Sequence, residues 1–140
     1  MSEGPVIRVQ DVHKAFGPQK VLQGLCFEVA RGESLVIMGP SGSGKSVILK
    51  HLIGLLRPDS GSIEVAGREV PRLRPAGLAE LRRDMGYLFQ HAALINWLSV
   101  YDNVALPLRE TTSKSESEIE SKVYSVLELV RLLDARSKFP

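Results

Sequence analysis

Apolar residues in the first half of the chain form short alternating or continuous runs, and in the last third they recur at helical spacing. Val6 to Phe16 alternates, with Ile7, Val9 and Val12 on one side, which predicts a strand broken by Gly17-Pro18. Val21 to Ala30 predicts a second extended stretch, with Leu25, Phe27 and Val29 on one face and Cys26 and Glu28 on the other. After the turn Arg31-Gly32-Glu33, Ser34 to Met38 is a continuous apolar run, as in a strand buried on both faces. Beyond a glycine-rich stretch, Ile48, Leu49, Leu52, Ile53, Leu55 and Leu56 share a broad helical arc starting near Ser46. Lys50, His51 and Gly54 group opposite, so His51 is expected on the solvent side.

Arg57-Pro58-Asp59-Ser60-Gly61 is a stop signal, and Ser62 to Val70 predicts a small hairpin turning at Ala66-Gly67. Residues 71–84 are basic and proline-punctuated, with Leu78 to Arg83 as a short helix. Met85 to Phe89 predicts another buried strand, delivering Gln90 at the carboxyl end, where ligands gather in open α/β sheets. Ser99 to Leu106 predicts a helix capped by Ser99, with Asp102 in its first turn and Pro107 near its end. A further helix is predicted from Glu116 to about Leu133, striped by Ile119, Val123, Val126, Leu127, Val130 and Leu133. Glu118 and Lys122 are spaced for an ion pair on it.

Composition narrows the class. Hydrophobic content of 44% and charged content of 24% are those of a globular protein, and the net charge of +2 argues for no nucleic-acid partner. No apolar run approaches the roughly 20 residues of a membrane span, and MSEGPVIRVQ lacks a signal-peptide core. The one cysteine, Cys26, allows no internal disulfide, fits a reducing compartment, and is expected to be a packed, inert thiol.

The candidate chemistry lies in Gly39-Pro40-Ser41-Gly42-Ser43-Gly44-Lys45-Ser46, which fits G-x-x-x-x-G-K-[ST] between a predicted strand and a predicted helix. Gly39, Gly42 and Gly44 permit backbone conformations that turn successive N–H groups inward as an anion cradle. The helix start adds the positive end of its dipole. Lys45 supplies a cation for terminal phosphates, and the Ser46 hydroxyl can ligate magnesium.

Taken together, these residues resemble the N-terminal half of an ATP-binding-cassette (ABC) ATPase, over roughly Val6 to Pro140 and in the family's order. The resemblance implies an α/β P-loop core, residues 34–60 and 76–90, an antiparallel β subdomain, residues 1–33 and 61–75, and the start of a helical subdomain, residues 91–140. It implies ATP and magnesium as ligands. Phe16 matches the aromatic position that stacks on adenine, as a flat apolar surface can. Gly39, Pro40, Ser41, Gly42, Ser43, Gly44, Lys45, Ser46 and Val47 match the nucleotide contacts, and Ser46 and Gln90 the magnesium contacts. Lys45 and Gln90 match catalytic positions, Gln90 being the Q-loop glutamine that reports nucleotide state to the transporter. Implied partners are a membrane permease and a second copy of the ATPase, at the cytoplasmic face of the cell membrane. Phe89 to Glu110, His91 included, and the Val47-Ile48 pair after the motif look most like ATPases of Mla-type phospholipid transport.

Phosphoryl transfer to water also needs an acidic magnesium partner, a group that orients the nucleophile, and charge stabilisation. The family supplies these from a Walker B Asp-Glu, an LSGGQ-like signature and a switch histidine. No four-residue apolar run here is followed by Asp-Glu, and there is no Ser-Gly-Gly. The expectation is therefore a truncated cassette that binds ATP weakly without turnover. Its parent would be an energy-coupling subunit; the alternative is a non-catalytic fragment or interaction module. A small-molecule kinase or GTPase is disfavoured by the order Phe16, loop, Gln90 and by the lack of N-K-x-D.

Overall fold

The computed structural model describes residues 4–89 and 93–140, which divide into two compact units, Met1–Tyr87 and Leu88–Pro140. In the first unit, β1 (Ile7–Phe16), β2 (Gln19–Val29), β3 (Ser60–Val65) and β4 (Arg68–Glu69) form an antiparallel sheet in the order β2-β1-β3-β4. The uneven spacing of Val9 and Val12 is a bulge. Asp11 has φ 47°, and the register runs from Val9↔Phe27 to Val12↔Leu25, inserting one residue on β1. Both valines therefore reach the same core face and are fully buried. The β3–β4 hairpin turns at Ala66-Gly67, both with positive φ, as the tight hairpin turn requires.

Against this face pack α1 (Lys45–Leu52) and α2 (Pro75–Arg83), through Ile48, Leu52 and Leu81 onto Val9, Val12, Leu22, Ile63, Val65 and Val70. Here the structure corrects the expectation for His51, which is 0% exposed. Positions 48, 51 and 52 of one helix share a stripe, so burying Ile48 and Leu52 carries His51 inward. The imidazole is held by its Nδ1, which donates to the Val47 carbonyl at 2.7 Å. Leu49 and Leu55, assigned to the apolar arc, are exposed instead.

The two runs predicted as buried strands, Ser34 to Met38 and Met85 to Phe89, form no strand, and Met38 and Leu88 are 85% and 94% exposed. A strand exists by its ladder. Among the described residues the sheet is β1 to β4, and neither run pairs with it.

The second unit is built on α3 (Val100–Thr111) and α4 (Glu116–Leu129), packed through Ala105, Ile119, Val123 and Leu127. Ser99 caps α3 by accepting the Asp102 N–H at 3.0 Å. Pro107 does not end this helix; it lies inside it. Leu108 beyond it packs on the Ile119 cluster, and Arg109 pairs with both Asp102 and Glu116, so tertiary contacts offset the missing N–H. Ser115 and Glu118 form a reciprocal capping box, so the Glu118 carboxylate is turned back onto the cap. α4 stops at Leu129, before the expected Leu133, and a 3-10 turn follows at Leu133–Ala135.

Three carboxyls here sit below the usual range: Asp102 by hydrogen bonds from the Ser99 hydroxyl and Arg109, Glu116 by Arg109, and Glu118 by Ser115. Folding favours their ionised forms, so their contribution is complete at neutral pH and is lost as pH falls below about 4 through the depressed values. The helical signal of Ser115→Ala should melt with about 1 kcal/mol less stability. The deficit should shrink on acidification from pH 7 to 3, as followed by circular dichroism; a deficit independent of pH would contradict the carboxylate's part in the cap.

Candidate nucleotide-binding site

Residues 39–46 join the apolar run at 34–38 to the start of α1. Gly44 is the turning point. It is buried, its φ is 92°, and the Ile48 N–H bonds its carbonyl at 3.0 Å to begin the helix. A Cβ there would lie 3.0 Å from side-chain atoms of both Val21 and Leu22, and 3.3 Å from the Val21 carbonyl oxygen. The loop thus packs onto β2 so closely that a side chain at Gly44 would have to displace Val21 and Leu22.

The helix it starts has no side-chain cap and no acidic residue in its first turn. Its leading N–H groups and its dipole therefore face the loop without a competing carboxylate. The Lys45 ammonium donates to the Gly39 and Pro40 carbonyls at 2.8 and 2.7 Å, which folds the cation over the loop and leaves one of its three donors unused by them. Ser43 closes a turn to the Pro40 carbonyl at 3.3 Å. Ser41 and Ser46 are exposed, and Val47 is half-buried. Between the loop and the Val21–Cys26 segment of β2 lies a cleft of about 460 Å³, bordered by Gly39, Pro40, Ser43, Gly44 and Lys45. Cationic lysine, uncapped helix start and glycine-shaped backbone suit a polyphosphate, and the exposed Ser46 hydroxyl suits its magnesium.

Phe16 ends β1 and is 46% exposed, with the Lys14 ammonium 5.6 Å from its ring centroid. Gln90 and His91 lie outside the described residues. Cys26 is exposed, contrary to the expectation of a packed thiol. It lines the cleft together with Leu25, and its sulfur accepts the Asp11 N–H at 3.1 Å beside the bulge. Asp59, read from sequence as part of a helix stop, is also tied to the end of β1: Lys14 and the Ala15 N–H both donate to its carboxylate at 2.7 Å.

A glycine-shaped loop carrying lysine and serine into a helix N-terminus defines the P-loop class of nucleotide-binding folds. Residues 22–140 match the family model described as ABC transporter, and the chain belongs to that family. It is 44% identical over 140 residues to a probable ribonucleotide transport ATP-binding protein of Mycobacterium leprae, covering all of this chain and 40% of that protein. It is 42% identical over 135 residues to a methionine import ATP-binding protein of Clostridium tetani, covering 96% of this chain and 42% of the relative. Among solved structures it resembles a dimeric, post-hydrolysis ATP-binding cassette bound to ADP and Pi, with a TM-score of 0.84 and 29% identity over 96% of this chain and 61% of that one. A component of the cbiONQ ABC transporter complex from Clostridium perfringens matches with a TM-score of 0.79 and 26% identity, over 98% of this chain and 55% of that one. The chain thus spans about two fifths of the length of these curated relatives.

The close approach at Gly44 separates two otherwise similar substitutions. Gly42→Ala places a Cβ in open space at φ 80° and should cost about 1–2 kcal/mol of backbone strain. Gly44→Ala should cost about 1–3 kcal/mol beyond that, because Val21 and Leu22 must also move. Urea unfolding of the two variants measures the difference; equal costs would contradict the packing described.

Proposed function

We propose that this chain carries the ATP-binding loop of an ABC transporter subunit and holds magnesium-ATP there without turning it over by itself. The observation that carries the proposal is the loop: a lysine folded over glycine-shaped backbone beside an uncapped helix start. In this reading Gly39 to Lys45 bind the phosphates, with Val47 beside them. Ser46 ligates magnesium, Phe16 stacks on adenine, and Gln90 completes the magnesium contact and reports nucleotide state. Bound magnesium would neutralise developing phosphate charge. Binding without turnover is supported by the lack, between residues 1 and 140, of an apolar run ending in Asp-Glu and of Ser-Gly-Gly. The same lack favours a second reading, a non-catalytic module that retains the loop.

The partners proposed are a membrane permease, on whose cytoplasmic face the subunit would sit, and a second copy of the ATPase. Dimeric cassettes among the similar structures support the second. No described helix is long and apolar enough to cross a membrane. For cargo, the likeness of residues 89–110 and of Val47-Ile48 to Mla-type ATPases supports phospholipid. The curated relatives carry the names of ribonucleotide transport and methionine import instead. In all three readings the chain's own task is the same, because cargo is selected by other subunits.

Titration calorimetry with magnesium-ATP should give binding to the parent chain and at least a tenfold loss in Lys45→Ala, given the roughly 1.5–3 kcal/mol of a charged hydrogen bond. Unchanged affinity would refute the site. Phosphate release should stay at background in both; magnesium-dependent release that vanishes in Lys45→Ala would refute the lack of turnover.

A further inference from the structure

We infer that Asp59 is a positioning residue for the base-stacking aromatic, fixing the end of β1 so that Phe16 is presented to a nucleobase. The inference rests on the reading of Phe16 as the adenine stack. β3 begins at Ser60, opposite His13, so its ladder does not reach the last residues of β1. β2 pairs with Ala15 and Phe16 on one side, and Asp59 supplies the bonds that β3 lacks on the other. Its N–H donates to the His13 carbonyl at 2.9 Å, and its carboxylate accepts the Ala15 N–H, one residue before Phe16, at 2.7 Å. The other carboxylate oxygen holds the Lys14 ammonium at 2.7 Å, and that ammonium lies 5.6 Å from the centre of the Phe16 ring. One side chain from the segment after α1 therefore holds the backbone before the aromatic and the cation beside its ring. The Lys14 pairing also holds the Asp59 carboxyl below the ordinary range, so the clamp, ionised at neutral pH in any case, keeps its charge further into acid.

A clamp on the base end alone predicts an effect on ATP that inorganic tripolyphosphate, which has no base, does not share. By calorimetry, Asp59→Ala should weaken ATP binding about tenfold, as a lost base stack does, and leave tripolyphosphate binding within about twofold. Asp59→Asn keeps an acceptor for Ala15 and loses the charge on Lys14, so its loss should be intermediate. Asp59→Ala added to Phe16→Ala should cause little further loss, because the two act through one contact. If Phe16→Ala weakens ATP binding while both Asp59 variants bind like the parent, the positioning role is overturned and the stacking reading stands. If Phe16→Ala itself binds ATP like the parent, the stacking reading falls and this inference with it. Equal losses of ATP and tripolyphosphate in Asp59→Asn would show a general structural role and overturn the inference.

Discussion

The first unit depends on one close approach, the contact of Gly44 with β2. The backbone there comes so near Val21 and Leu22 that a Cβ would force them to give way, which seats the loop directly on the sheet. The positive φ that makes this approach possible also turns the chain into α1 at once, so that the helix dipole and its unbonded N–H groups begin where the loop ends. Lys45 is then the first helical residue, close enough to reach back to Gly39 and Pro40. Packing and binding chemistry share a single turn.

What could be read from the sequence was local. The loop, the Ala66-Gly67 turn, the Ser99 cap and most of the apolar stripe of α4 depend on neighbours within a few positions and are where their patterns placed them, although Val130, counted in that stripe, is exposed just beyond the helix. The misreadings were tertiary. His51 is buried because the helix rotates Ile48 and Leu52 inward, which a wheel drawn around the wider apolar arc does not reveal. Pro107 is carried inside α3 by contacts of Leu108 and Arg109 with α4. Cys26 is exposed, on the lining of a cleft. Ser34 to Met38 and Met85 to Phe89 have the composition of buried strands, but a parallel ladder needs partners that no pattern within a run can supply.

The site divides in the same way. A phosphate loop is a short backbone device, so a motif can mark a candidate for it, and membership of the ABC transporter family agrees with that reading. Cargo leaves no comparable mark on this stretch. Relatives of similar identity carry names for ribonucleotide transport and methionine import, as expected if the loop's chemistry is common to all of them. Asp59 shows the intermediate case: its carboxylate sits in an ordinary turn sequence, and only the fold brings it to Lys14 and Ala15.

An anion cradle in the glycine-shaped loop leaves its mark in amide hydrogen exchange with and without magnesium-ATP. Protection on binding should concentrate in the backbone N–H groups of residues 42–47, at the loop and the first turn of α1. Bound nucleotide that leaves those amides exchanging as in the free chain would contradict it.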